Sequence, residues 1–196
     1  MFKKHGRTKF FDKKQNSQSD FLTNLKNQDQ EERSEYQKFT QTKFLCAAFD
    51  DDGICYSGGA NGAVHCWDQR GELKLVLKAH LGACTAIAAS EGLVISTGKD
   101  FKLTVHSSNQ GQFEYLRQIP LQHYFIASSL DYMNGKVLIG HDNGKICTVD
   151  INGNEHVTQN VSHHDGECWG LEVIAKKGTF LTSADDNEFH EYSIRN

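Results

Sequence analysis

Four short runs of the chain alternate apolar and polar side chains: AVHCWD (63–68), KLTVHS (102–107), KICTVD (145–150) and EFHEYS (188–193). Apolar or aromatic residues fall at every other position, the period of a strand with one face in a core, and a polar residue closes each run. A compact run precedes each of them (ICYSGG, LVISTG, KVLIGH, TFLTSA), and before that comes another (FLCAAF, CTAIAA, IASSLDYM, CWGLEV). Gly, Asp and Asn separate the runs, so the pattern predicts three short strands per unit joined by tight turns. KLVLK, YLRQI and HVTQNV supply a further strand between successive units, and the whole predicts an all-β array.

The units repeat with a fixed period. His80-Leu81-Gly82-Ala83-Cys84 and His164-Asp165-Gly166-Glu167-Cys168 share the pattern His-x-Gly-x-Cys, each followed three residues on by an aliphatic residue, Ile87 or Leu171. They lie 84 residues apart, two periods of about 42, and His123 with Leu130 fits a weaker copy between them. Ser57, Ser96, Ile139 and Thr182 end the second strands. Four residues later stand Asn61, Asp100, Asn143 and Asp186, and six further on Trp67, His106, Val149 and Tyr192, without a slip. Asn and Asp suit that turn because their short side chains accept local hydrogen bonds and tolerate left-handed backbone.

Units of this length and composition resemble WD repeats, the four-stranded blades of a β-propeller. Trp67-Asp68 is the one intact Trp-Asp pair. The resemblance implies a structural tetrad: His before the first strand, Ser/Thr in the second, Asp in the next turn and Trp in the third. The first unit supplies Ser57, Asn61 and Trp67. The second supplies His80, Ser96 and Asp100, with His106 in the Trp place. The fourth supplies His164, Thr182 and Asp186, with Tyr192 in that place, while the third is degenerate at Ile139 and Val149. The expected architecture is a partial propeller of about four blades (about 44–78, 79–119, 120–161 and 162–196), the last incomplete. The polar turn at 163–166 then crosses from an outer to an inner strand, and Gly170 in CWGLEV allows close approach near the propeller axis.

Charge divides the chain at the same boundary. Residues 1–43 carry ten Lys/Arg against six Asp/Glu, a net of +4, whereas residues 44–196 carry eleven against nineteen, a net of −8. This basic arm is rich in Lys, Gln and Asn and poor in aliphatics, so it lacks the apolar surface to fold alone, although 20–38 is compatible with a short helix. It reads either as a solvated linker or as an electrostatic tether to an acidic surface, with Phe10 and Phe11 among the lysines hinting at docking. The chain has no run of 18 apolar residues and no apolar leader behind Met1, which points to a cytoplasmic protein. Six cysteines without a Cys-x-x-Cys pair, five of them inside apolar runs, read as reduced core residues.

Several constellations tempt a chemical reading. His80, Ser96 and Asp100 form a nominal hydrolase set, with Ser96 as nucleophile, but the same set recurs as His164, Thr182 and Asp186. Catalysis needs one site, and Ser96 has no Gly-x-Ser-x-Gly elbow, so a fold-stabilising network is expected. His163, His164 and Asp165 point to alternate sides of an extended chain and lack partner ligands at metal spacings. Asp50-Asp51-Asp52-Gly53 begins like a calcium loop, but Ile54, Cys55 and Tyr56 replace the continuing ligands. SGGANG (57–62) opens a strand and has no following Lys, which argues against a phosphate cradle. No catalytic residue, cofactor or metal is expected.

A narrower resemblance covers residues 44–193. FLCAAFDDDGICYSGGANGAVHCWD, KAHLGACTAI, GLVISTGKDFKL and above all HHDGECWGLEV are similar, in the same order, to stretches of the echinoderm microtubule-associated protein-like family in its first propeller. That family's amino-terminal hydrophobic motif and coiled-coil trimerisation segment are not found in this sequence. The resemblance implies a non-catalytic scaffold on tubulin or axonemal proteins, in cytoplasm, cytoskeleton or cilium, with neither nucleic acid nor membrane as partner. Its ring would be completed by further blades from a longer chain or a partner chain. An adaptor in an unrelated signalling or ubiquitin-ligase complex is the alternative. Candidate contacts are Lys3, Lys4, Arg7, Lys9, Lys13 and Lys14 of the arm, with Phe101, Lys102 and Lys145 on corresponding turns of neighbouring blades.

Overall fold

A computed structural model describes residues 41–109, 112–121, 125–152 and 158–194. The arm up to residue 40 and His123 lie outside them, and with them the helix expected over 20–38 and the six basic arm residues named above.

The described residues form fifteen strands in four separate antiparallel sheets, and this is a partial β-propeller. The first blade is β1 (Phe44–Phe49), β2 (Cys55–Gly59), β3 (Ala63–Trp67) and β4 (Leu73–Lys78). The second is β5 (Cys84–Ser90), β6 (Leu93–Gly98), β7 (Lys102–Asn109) and β8 (Gln112–Pro120). The third is β9 (Ala127–Met133), β10 (Lys136–His141), β11 (Lys145–Asp150) and β12 (Thr158–His163). The fourth has three described strands, β13 (Cys168–Ile174), β14 (Thr179–Ala184) and β15 (Phe189–Ser193). Within each sheet the strands follow chain order, so every pairing is between neighbours in sequence. The register repeats: Cys55, Val94, Val137 and Phe180 face Trp67, His106, Val149 and Tyr192.

No blade has a core of its own. Tyr56, Val64, Cys66, Cys84, Ile87 and Val94 form one cluster across the first boundary. Ile95, Leu103, Val105, Leu130, Val137 and Ile139 are among those that form a second, across the middle boundary. Leu138, Ile146, Cys168, Leu171 and Phe180 form a third. Each fully buried Val, Ile or Leu contributes roughly 1.5–3 kcal/mol, and here that gain exists only where two blades meet. Consecutive apolar residues are what allow it, since successive side chains of a strand point to opposite faces: Leu138 enters the third cluster and its neighbour Ile139 the second.

The four inner strands β1, β5, β9 and β13 lie side by side in chain order around a cavity of about 1160 Å³. β13 places Trp169 there, 59% exposed. Gly170 lines the same cavity and leaves room for a close neighbour. Register shifts between Cys168 and Gly170, and a Cβ on Gly170 would strike the Ser183 hydroxyl of β14. β1 displays Phe44, Leu45 and Phe49, between 48% and 67% exposed, with Phe44 edge-on to the His65 and Trp67 rings.

Candidate interaction surface

The turns and crossings at one end of the sheets build a rim. Asn61 Oδ1 accepts the Ala63 N–H at 3.2 Å, Asn143 Oδ1 that of Lys145 at 3.2 Å, and Asp186 Oδ1 that of Glu188 at 3.0 Å. The next residue is left-handed each time: Gly62 at φ +82°, Phe101 at +56°, Gly144 at +79° and Asn187 at +61°. Its carbonyl accepts an N–H from the following crossing: His80 onto Gly62 at 3.0 Å, Leu121 onto Phe101 at 2.9 Å and His164 onto Gly144 at 2.8 Å. Each blade is thereby clasped to the next through backbone.

The tetrad residues sit just beneath. The His80 ring lies between Asp100 Oδ1 at 3.0 Å and Ser96 Oγ at 2.9 Å, while Asp100 Oδ2 also accepts the Leu81 N–H at 3.1 Å. His164 repeats this with Asp186 at 2.7 Å, Thr182 at 2.8 Å and the Asp165 N–H on Asp186 at 3.1 Å. In the first blade Trp67 Nε1 donates to Ser57 Oγ at 2.8 Å, and the Thr42 hydroxyl accepts the Asn61 N–H. The residues in the Trp place of the later blades behave differently. His106 meets Tyr115 edge-on, and the Tyr192 hydroxyl bonds His190 Nδ1 at 2.7 Å while its ring stacks on Phe180.

Ser96, His80 and Ser57 are buried, so Ser96 has no substrate path of the kind a nucleophile needs. His164 is buried and His163 exposed, and no group of three potential metal ligands exists among the described residues. The Asp50 carboxylate is used up locally, accepting the N–H groups of Asp52 and Ile54 and the Tyr56 hydroxyl.

Burial depresses the pKa of His80, and burial together with the nearby His80 ring depresses that of His106. Both bind protons more readily unfolded, so each contributes stability above its unfolded value, about 6.5, that is lost as pH falls below it. Asp131, Glu167 and Glu172, pushed up by burial, act in the opposite sense at lower pH. The urea midpoint is therefore expected to drop between pH 7 and pH 5.5, and the drop should shrink in His106→Phe. An unchanged slope in that variant would remove His106 from this account.

The rim is electrically split, which the linear sequence hides because the charges come from separate turns. The first two blades place Lys43, Lys78, Lys99 and Lys102 there, all exposed or half-exposed, beside the 83%-exposed Leu81. The last two place Asp142, Asp165, Glu167, Asp185 and Glu188. Trp169 stands in this acidic half, its Nε1 donating to Asp185 Oδ1 at 2.8 Å. Burial and the charges of Asp142 and Asp185 hold Glu167 above the usual carboxylate range. Of the proposed contacts, Phe101 and Lys102 fall in the basic half, whereas Lys145 lies 5.3 Å over the Phe125 ring in the third blade. The recurrence of Asp and Glu at 165, 167, 185, 186 and 188 was the available signal for the acidic half.

No protein-family model matches the chain. It is 34% identical over 156 residues to a ciliary WD repeat-containing protein, ctxp80, of Euplotoides octocarinatus, covering 79% of this chain and 21% of that protein. It is 30% identical over 159 residues to echinoderm microtubule-associated protein-like 1 of Homo sapiens, covering 77% and 19%, and 28% identical over 157 residues to the Mus musculus protein of that name. The chain thus spans about a fifth of the length of the curated relatives it matches. In fold it is similar to the computationally designed protein Ika4, with a TM-score of 0.64 at 24% identity over 79% of this chain and 93% of that one. The designed Ika8 gives 0.63 over 79% and 46%.

Proposed function

Taking the chain as a WD-repeat propeller that resembles the echinoderm microtubule-associated protein-like family, we propose that it is a non-catalytic scaffold docking on microtubules or axonemal proteins in the cytoskeleton or cilium. The observation that carries this reading is the basic half of the rim. Lys43, where the basic arm enters β1, accepts the Ala60 N–H through its carbonyl at 2.8 Å, so the arm joins the body at the end that carries Lys99 and Lys102. The arm's net +4, Lys43 included, adds to the charge of Lys99 and Lys102, and the sum is complementary to an acidic polymer surface. Further blades, in the same or another chain, cover the apolar face of β1.

Co-sedimentation with microtubules across a salt series tests this. The intact chain is expected to pellet at low salt and to lose most binding by about 0.3 M, where the Debye length falls to roughly 6 Å. Lys99→Glu/Lys102→Glu, and separately replacement of Lys3, Lys4, Arg7, Lys9, Lys13 and Lys14 by Gln, should each weaken it several-fold. A folded, soluble chain that never pellets would favour the adaptor reading. Trp169 among carboxylates supports that alternative, since it suits a basic peptide.

A further inference from the structure

The boundaries between blades allow one position to be compared in three settings. Cys46, Ala86 and Ser129 occupy equivalent places on successive inner strands, paired with Gly58, Thr97 and Gly140 just past a register shift or beside one. Cys84, Ala127 and Cys168 occupy the matching places on the strand that follows, paired with Gly98, His141 and Ala184. The middle boundary fills both places with buried alanines. The third uses a hydroxyl and a thiol, Ser129 Oγ donating to the Cys168 carbonyl at 2.8 Å and to its Sγ at 3.7 Å. The first boundary uses two thiols. Cys46 Sγ donates to the Cys84 carbonyl at 3.7 Å, and the two sulfurs are 4.0 Å apart.

Methyl groups suffice one blade along, where Thr97 stands in the place of Gly58 and Gly140, while the two boundaries with glycine there carry larger side chains, two thiols in one and a hydroxyl with a thiol in the other. Both sulfurs are seated over Gly58, where an added Cβ would lie 2.5 Å from each, so nothing stands between them. Their surroundings differ in a useful way. Cys46 is half-buried and lines the axial cavity, whereas Cys84 is fully buried behind it. Hydrogen bonding from the Cys84 thiol and the Gly58 N–H holds Cys46 below the usual thiol range, and the same partnership with burial pushes Cys84 up. The accessible member is thus the more easily ionised, and the inaccessible one keeps its proton.

We propose that Cys46 and Cys84 are a peroxide-responsive thiol pair whose disulfide staples the first blade to the second. The Cys46 thiolate attacks one oxygen of hydrogen peroxide, the O–O bond breaks, and hydroxide leaves as water after taking up a proton. Cys46 is then a sulfenic acid. The Cys84 sulfur attacks the Cys46 sulfur, the S–O bond breaks, and the Cys84 proton departs with that oxygen as a second water. Two thiols are oxidised by two electrons and one peroxide is reduced to two waters. The sulfurs need to close from 4.0 Å to about 2.05 Å.

The test is peroxide treatment of the full chain, followed by peptide mapping without reduction and by thermal melting. The expected product links the Cys46 and Cys84 peptides, leaves Cys66, Cys147 and Cys168 as thiols, and melts roughly 5–10 °C higher in a way that dithiothreitol reverses. Cys84→Ala, which copies Ala127, should abolish the link and leave a Cys46 sulfenic acid that dimedone traps. Cys46→Ser, which copies Ser129, should leave neither link nor adduct. Linkage of Cys46 to another cysteine, direct passage of Cys46 to sulfinic acid in the unaltered chain, or absence of dimedone adduct in a folded Cys84→Ala protein would each overturn the proposal.

Discussion

Gly144→Ala is expected to destabilise the chain by about 3–5 kcal/mol, against about 1 kcal/mol for Gly71→Ala. Both glycines are left-handed, at φ +79° and +72°, so the backbone penalty for a side chain is nearly the same. What differs is the space. A Cβ at Gly71 meets nothing within 4 Å, whereas at Gly144 it would strike the carbonyl oxygens of His164 and Gly166. Those atoms are backbone of the next crossing and cannot rotate away. Relieving the clash means breaking the bond from the His164 N–H to the Gly144 carbonyl, which clasps the third blade to the fourth. Urea denaturation of the two variants at constant m separates the effects. Equal losses would mean that backbone conformation alone, and not the clasp, makes the glycine necessary.

His80→Ala is expected to cost about 3 kcal/mol, and Ser96→Ala about 1 kcal/mol. Removing the imidazole leaves Asp100, whose side chain is 8% exposed, without its ring partner, and strands the buried Ser96 hydroxyl. Removing the hydroxyl alone leaves the ring its carboxylate, a milder defect. The histidine is neutral, as its depressed pKa requires, so the ring N–H donates to the carboxylate and the other nitrogen accepts from serine. The same arrangement in a catalytic setting would give the reverse ranking, with Ser96→Ala erasing hydrolysis at an unchanged midpoint. That outcome, measured with an activated ester beside the denaturation curves, would sink the structural assignment of the set.

Much of the architecture was legible because strand alternation and turn chemistry are local. The offset from Ser57 to Asn61 to Trp67, repeated in the later units, corresponds to one register in every sheet, and the WD-type propeller follows from it. The outer strands were read less well. β8 runs from Gln112 to Pro120 and β12 from Thr158 to His163, where YLRQI and HVTQNV gave a shorter and a displaced span. An outer strand has a partner on one side only, so its pattern carries less information. Trp169 was legible as a strand residue but not as an exposed one, because alternation does not say which face looks into a cavity. Tyr192 shows the converse limit: its place in the repeat was plain, but its bond to His190 depended on a neighbour two residues away that the repeat does not constrain. The split rim escaped entirely, being assembled from four turns that only the curvature of the arc brings onto one surface.

The placement of the cores between blades fixes how such a molecule comes apart. A blade lifted from the arc would take no hydrophobic interior with it, so the cooperative unit is the joint rather than the sheet, and stability runs along the chain as a series of pairwise bonds. Tension applied along the polypeptide would part these joints one after another, each rupture baring the faces of the two blades it had held together. An arc made this way yields in steps instead of failing at once.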